Sequence, residues 1–188
     1  MTQLRIDSSV EEQLTDLKAV YPTPEALIEG MRQELGAFEA TIRGAAPFWN
    51  TRMPGRDWTP AQEADHTIMI NEGTGRLVRL LLSEKPLRDV PEEPGVTEGG
   101  RRLAPPGTEP GPDQPMEAVL ARHAATRDLL EVYAEPRPER AFYHPFMGKI
   151  GALDWLRMAA YQTRHHRLSM QAGVDRLANA ARSEHREQ

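Results

Sequence analysis

The sequence contains no cysteine among its 188 residues. Disulfide bonds, thiolate metal ligands and a cysteine nucleophile are therefore excluded from this chain. Positive charge is also scarce, because 23 Lys and Arg stand against 28 Asp and Glu, for a net charge of −5. Nucleic-acid binding needs clustered positive charge, so we expect no nucleic-acid partner.

Long apolar stretches are missing as well. No run approaches the ~20 residues that span a bilayer, so we expect no membrane partner. The first residues, MTQLRIDSSVEEQL, lack the apolar segment of a signal peptide. These absences predict a cytoplasmic protein, and the length predicts one domain over residues 1–188 with a polar tail at 183–188.

Five helical segments and no convincing strand can be read from the sequence. The first is short and begins after Ser8 or Ser9. Thr23-Pro24 and Thr59-Pro60 are helix starts with Thr as N-cap and Pro at the first helical position. They predict long helices over 24–43 and 60–84, and two further long helices are predicted over about 116–133 and 152–182.

The four long helices are connected unevenly. Residues 86–115 hold eight prolines and five glycines, which predicts a long irregular crossover between helices 2 and 3. A connection of that length can run along a whole bundle. We therefore predict an all-α fold, a four-helix bundle with up-up-down-down topology.

Two predicted apolar stripes are interrupted by histidine. They are His66, Ile70, Gly73, Leu77 and Leu81 in one helix, and Leu156, Ala159, Thr163, His166, Met170, Val174 and Leu177 in the other. Spacings of three and four place each set on one helix face. A buried imidazole needs a polar partner, and a metal ion is the commonest partner that two imidazoles share. The alternative for each ring is a core histidine bonded to a carbonyl or a carboxylate.

The other polar residues give weaker signals. His165 lies about 100° around the helix from His166, at the edge of the stripe. Gln162 stands one turn before His166, where a second histidine ligand is common, so the sequence offers two good metal ligands and a questionable third. His123 is expected to be a satisfied core histidine and His144 to pack in a turn.

Three further groups are assigned no chemistry. His185 lies in the polar tail. Gly73 and Gly75 are expected to permit close helix packing. The arginines at 52, 56, 76 and 79 are expected to be solvated or paired surface charges.

Two segments resemble a known family. WTPAQEADHTIMINEGTGRLVRLL resembles the second-helix signature of the DinB/YfiT-like superfamily, and FYHPFMGKIGALDWLRMAAYQTRHHRLSMQ resembles its last-helix signature. The resemblance implies an up-up-down-down four-helix bundle, often a homodimer, with zinc or nickel held by three histidines. Its ligand positions correspond to His66, Gln162 and His166, so this chain departs from the pattern at Gln162.

The resemblance also implies two classes of function. The first is a metal-dependent enzyme, a thiol S-transferase or a hydrolase, acting on a small molecule such as a low-molecular-weight thiol. In that case we expect His165 to transfer protons, and residues 86–115 and the turn around His144 to line the pocket. The second is a non-catalytic bundle that binds a small molecule or a protein partner.

Overall fold

The computed structural model describes residues 9–132 and 139–184, which are mostly helical. The helices are α1 (Val10–Val20), α2 (Pro24–Gly44), α3 (Pro60–Leu81), α4 (Met116–Leu130) and α5 (Ala152–Glu184), with a 3₁₀ turn at Ala46–Phe48. The predicted helices are confirmed, although α3 and α4 end at 81 and 130 rather than near 84 and 133. No helix within the described ranges is both long and apolar enough to cross a bilayer.

The helix starts follow from local hydrogen bonding. The Thr59 hydroxyl accepts from the Gln62 amide, and the Gln62 side chain accepts from the Thr59 amide, which forms a capping box. Ser9 forms the same arrangement with Glu12 at α1, and Thr23 caps α2. A side-chain cap stabilises a helix by about 1 kcal/mol, so these boundaries are determined locally.

Two clusters of buried apolar side chains hold α2 to α5 together. The first includes Phe38, Ile42, Ala61, Val119 and Met170. The second includes Leu27, Leu81, Leu130 and Leu156. Consequently α2 and α5 run from the second cluster to the first, whereas α3 and α4 run from the first cluster to the second.

The four-helix bundle with a long crossover between its second and third helices is confirmed, but the predicted up-up-down-down order is wrong. The helices run up-down-down-up. Because α3 and α4 point the same way, the chain between them must return along the bundle, and residues 82–115 make that return. The sequence did not distinguish the two orders, because a crossover of this length permits both.

Four short strands correct the expectation of no strand. β1 (Thr97–Glu98) pairs antiparallel with β2 (Arg101–Arg102), and β3 (Ala141–His144) pairs antiparallel with β4 (Gly148–Gly151). Gly99 and Gly100 form the first turn with φ of 55° and 72°. A two-residue turn of this kind favours glycine at both positions, and it lies inside the predicted irregular crossover.

The apolar stripe predicted for α3 is misplaced, whereas that of α5 is confirmed. In α3 the buried apolar side chains are Ala61, Ala64, Ile68, Val78 and Leu81. Gly75 permits close packing, since a Cβ there would lie 2.7 Å from the Leu129 Cβ. Gly73 is exposed and has open space around it, so the prediction of close packing is wrong for that residue.

Candidate metal centre at the first turns of α3

His66 and His166 meet between α3 and α5. Their ring centroids lie 4.9 Å apart at an interplanar angle of 73°. The residues are 3% and 9% exposed, so both rings are shielded from bulk water. Asn71 donates a hydrogen bond of 2.8 Å to Thr163 nearby, which ties the two helices together.

The surroundings of His66 set its protonation. Its Nδ1 lies 2.5 Å from the Thr108 carbonyl oxygen, which can only accept, so Nδ1 carries the proton. Burial, and next the charge of His166, lower the pKa of His66 from 6.5 to about 4. The ring is therefore neutral at pH 7, and its Nε2 carries a lone pair. The Trp58 ring covers it at a centroid distance of 4.7 Å.

His166 is held by a carboxylate. Its Nδ1 donates to Glu63 Oε1 at 2.7 Å, and Glu63 is fully buried on α3. Arg56 donates from one nitrogen to both oxygens of Glu63, at 2.8 and 2.9 Å. Burial raises the pKa of Glu63, but hydrogen bonds and charge from His166 and Arg56 outweigh it, so the net shift is downward. Glu63 is thus an anion that orients the His166 ring through Nδ1. The Nε2 atom of His166 faces away from Glu63, toward Gln162.

Glu63 and Arg56 are the functional candidates that the sequence did not reveal. Arg56 was expected to be a solvated or paired surface charge, yet it is paired to a buried group. Glu63 precedes His66 by three residues, which places the two on neighbouring positions of one helix surface. That spacing was the available signal, and it became meaningful only once α5 brought His166 against the same surface.

Gln162 and His165 also lie beside His166. The Gln162 side-chain nitrogen is 3.5 Å from His166 Nε2. His165 is exposed, its ring 5.3 Å from that of His166 and 6.3 Å from that of Tyr161. The structure therefore brings His66, Gln162, His165 and His166 together at one place.

The remaining histidines lie elsewhere. His123 is buried in α4 with its Nε2 3.0 Å from the Leu35 carbonyl. The expectation of a satisfied core histidine holds for that nitrogen only, since Nδ1 has no hydrogen-bond partner among the described residues. His144 accepts from the Phe146 amide at 3.1 Å and packs against Trp155, so it belongs to its turn. His185 lies outside the described residues.

The crossover reaches the centre, as expected for a segment that lines it. Thr108 contacts His66, the Gly111 amide donates to Asp65 at 3.3 Å, and Thr59 donates to Asp113 at 2.7 Å. Among the described residues no hydrogen bond, ion pair or ring contact joins the turn around His144 to His66 or His166. A shallow concavity of about 390 Å³ is lined instead by residues 52–57, which include Arg56.

The two histidines are spaced as ligands of one divalent ion would be. Two imidazoles that bind one ion at about 2.0–2.1 Å have ring centroids about 5 Å apart, and the observed distance agrees. Each Nδ1 is bonded to an oxygen, which is how proteins orient histidine ligands. However, within residues 9–132 and 139–184 no three His, Asp or Glu side chains converge on one ion. The centre fits an ion held by two histidines, with Gln162 as an adjacent third donor.

Comparison with known proteins identifies the family. The family model of the DinB superfamily matches residues 31–170, from within α2 to within α5. The chain belongs to the DinB superfamily. The crystal structure of TT2238, a four-helix bundle protein, is similar with a TM-score of 0.55 and 25% identity, over 79% of this chain and 98% of that one. No curated protein matches the chain significantly.

DinB superfamily members often bind a metal ion. In this member two ligand positions of the predicted triad are histidines with fixed Nδ1 protons. The third position is Gln162, whose amide is neutral and a weaker donor than imidazole for zinc or nickel. Gln162, which replaces the usual histidine in the sequence pattern, therefore also lies beside His166 in the structure.

Proposed function

We propose that this DinB superfamily protein is a metal-dependent enzyme, a thiol S-transferase or a hydrolase acting on a small molecule. His66 and His166 would hold a divalent ion through Nε2, with Gln162 as a weak third ligand. One observation supports this above the others: both Nδ1 atoms are bonded to oxygen, so the Nε2 atom of each ring is the nitrogen left to bind an ion, and the two rings are adjacent.

In this proposal, residues of the chain orient the ligands, exclude water and transfer protons. A divalent ion bound here would lower the pKa of a water or thiol and supply a nucleophile at neutral pH. Glu63 fixes the His166 ring, and Arg56 keeps Glu63 ionised. Trp58 and Thr108 exclude bulk water from the His66 side. The exposed His165 is placed to carry protons between this centre and solvent.

The test begins with metal content and binding, without assuming a substrate. Untagged protein is loaded with Zn²⁺ or Ni²⁺, dialysed and analysed for metal, and binding is measured by calorimetry. Ni²⁺ should quench the fluorescence of Trp58, because its ring lies 4.7 Å from that of His66. A Trp58→Phe variant should lose this quenching while still binding the ion.

Matched variants separate ligand loss from loss of fold. His66→Ala should abolish binding, whereas His123→Gln should not, although both residues are buried histidines bonded to a backbone carbonyl. Metal-loaded protein is then assayed with low-molecular-weight thiols plus electrophilic acceptors, and with simple amides and esters. Activity that persists in His66→Ala would exclude the metal mechanism. His165→Ala should reduce turnover without changing metal content.

A non-catalytic binding protein is the second candidate. Its support is the enclosure of His66 by Trp58 and Thr108 and the amide at position 162. Folded protein that retains no metal and is inactive across the panel would favour it. A homodimer and a cytoplasmic location stay predictions, and sedimentation of the untagged chain tests the first.

A further inference from the structure

A second polar feature lies one turn from the metal centre along α5. Arg102, in β2, donates from its guanidinium to the Gln13 side-chain oxygen at 2.6 Å and stacks over the Phe146 ring at 4.8 Å. Tyr161 of α5 is close enough to interact with it electrostatically. The guanidinium is therefore held by two separate parts of the chain, α1 and the β3–β4 turn, and lies near α5.

The platform under Arg102 is rigid. The Gly95 amide donates to the Pro145 carbonyl at 2.9 Å, and a Cβ at Gly95 would lie 2.3 Å from the Phe146 ring. The crossover and the β3–β4 turn are thus in close contact, with Phe146 between them. Arg102 cannot lose this platform without separation of the two segments.

The described residues supply no carboxylate within ion-pair distance of the Arg102 guanidinium, although Arg102 is partly buried. Burial lowers the pKa of Arg102, and burial together with the charge of Arg102 lowers the pKa of His144 to about 4. His144 is therefore neutral at pH 7, and no described carboxylate balances the positive charge of Arg102. Within the described part of the chain, Gln13 accepts from one of the five N–H donors of this guanidinium, so the others can donate to a ligand.

The position of Arg102 relates it to the metal centre. Tyr161 stacks near His165, and His165 adjoins His166, with ring centroids 6.3 and 5.3 Å apart. Tyr161 and His165 are separated by one helical turn, about 6 Å along the axis. A molecule that contacts both Arg102 and the imidazoles would therefore extend over more than one helical turn, more than about 6 Å.

We propose that Arg102 binds an oxyanion, a carboxylate or phosphate, at one end of the substrate whose other end reaches His66 and His166. The planar guanidinium suits both groups, because it can donate two parallel hydrogen bonds. The role at the imidazoles rests on the proposed function. Oxyanion binding itself requires no metal, so the two can be tested apart.

The experiment is an NMR titration of EDTA-treated, ¹⁵N-labelled protein with glutarate and, separately, with inorganic phosphate. One or both should produce saturating shifts at the Arg102 Nε–H and the Gln13 side-chain amide, with a Kd of about 1–10 mM. Glutarate binding alone identifies a carboxylate as the natural group, and phosphate binding alone identifies a phosphate. Absence of shifts with both probes overturns the proposal.

Charge-matched variants make the assignment specific. Arg102→Gln should weaken binding at least about tenfold, and Arg102→Lys should weaken it less, since an ammonium keeps the charge without the fork. Arg88→Gln removes the same charge from an exposed position in the same crossover and should leave the Kd unchanged. Equal effects of Arg88→Gln and Arg102→Gln would overturn the proposal. If Arg102→Gln fails to fold, two results still test the proposal: which wild-type resonances shift in the titration, and the Kd of Arg102→Lys.

His66→Ala distinguishes the two proposals. It should abolish metal binding and leave oxyanion binding intact. If the protein binds the oxyanion but never binds metal, the proposed function is overturned and the role of Arg102 is supported. If it binds metal but not the oxyanion, the role of Arg102 is overturned and the proposed function is supported.

Discussion

α3 and α5 each bring one histidine to the same centre, but they are buried in different ways there. Around His166, α5 buries the spaced positions 163, 166, 170, 173 and 174, which form one face. Around His66, α3 buries six consecutive residues, 63–68. The start of α3 is enclosed by α4, α5 and the crossover. In contrast, α5 has an exposed side, on which Arg164 is partly exposed and His165 and Leu168 are exposed to solvent.

This difference in burial explains why the buried polar groups around the centre lie mainly on α3. A helix with one buried face can keep its charges in water, so its stripe can be read from the sequence. A helix enclosed on all sides must bury some polar groups, and each then needs a partner. In α3 these partners are Arg56 and His166 for Glu63, Thr108 for His66, and Arg122 for Asp65.

The largest expected effect is that of Glu63→Ala. It leaves Arg56 without its carboxylate and His166 without its acceptor, so the free energy of unfolding should fall by about 3–5 kcal/mol in metal-free protein. The control is Glu131→Ala, which removes a more exposed carboxylate paired with Arg32 of α2, and should cost about 1 kcal/mol or less. Urea unfolding measures both. Equal losses would mean that the enclosure of α3 has no energetic consequence.

The titration of His144 tests the cost of burying a histidine that has no carboxylate partner in the described part of the chain. Burial lowers its pKa from 6.5 to about 4, so the folded protein binds this proton less readily than the unfolded chain. Stability should therefore fall as the pH decreases below about 6.5, and the loss, up to about 3 kcal/mol, should level off below pH 4. NMR should show a neutral His144 ring at pH 5. In His144→Gln, unfolding at pH 7 and 4.5 should differ less than in wild type; an unchanged difference would contradict the assignment.

Gly75 and Gly73 compare the enclosed and open sides of α3 directly. A Cβ at Gly75 would lie 2.7 Å from the Leu129 Cβ and 3.1 Å from the Leu129 backbone, so Gly75→Ala should destabilise by about 1–3 kcal/mol. Gly73→Ala meets open space and should stabilise the helix by about 0.5–1 kcal/mol. Thermal unfolding of the two variants should thus give shifts of opposite sign. Shifts of the same sign would show that the helix packing differs from that described.

The last expected effect concerns α5 and metal affinity. Gln162→His should strengthen Zn²⁺ or Ni²⁺ binding by about tenfold, because imidazole is a better donor than an amide. Gln171→His, at an exposed position two turns further along α5, is the matched control and should leave affinity unchanged. Calorimetry on untagged protein measures both. An unchanged affinity in Gln162→His would place this residue outside the ligand set.

The sequence was most informative where one local rule decides the structure. The Thr-Pro starts and the α5 stripe needed only capping chemistry and helical periodicity, and the structure confirms them. His166 was identifiable because an imidazole within an apolar stripe is unusual. His66 is buried as predicted, although the stripe predicted around it is misplaced. The strands at 97–102 and 141–151 were missed because each is only two to four residues long.

By itself the sequence determined the helices, their starts, the family and the presence of His66 and His166 in the interior. Only the tertiary structure decided the up-down-down-up order, because a long crossover permits either order. It also decided that Glu63 and Arg56 belong to the centre and that Arg102 has no carboxylate partner within residues 9–132 and 139–184. The physical reason is shared: a buried charge depends on groups from distant parts of the chain, and helical periodicity describes only the residues of one helix.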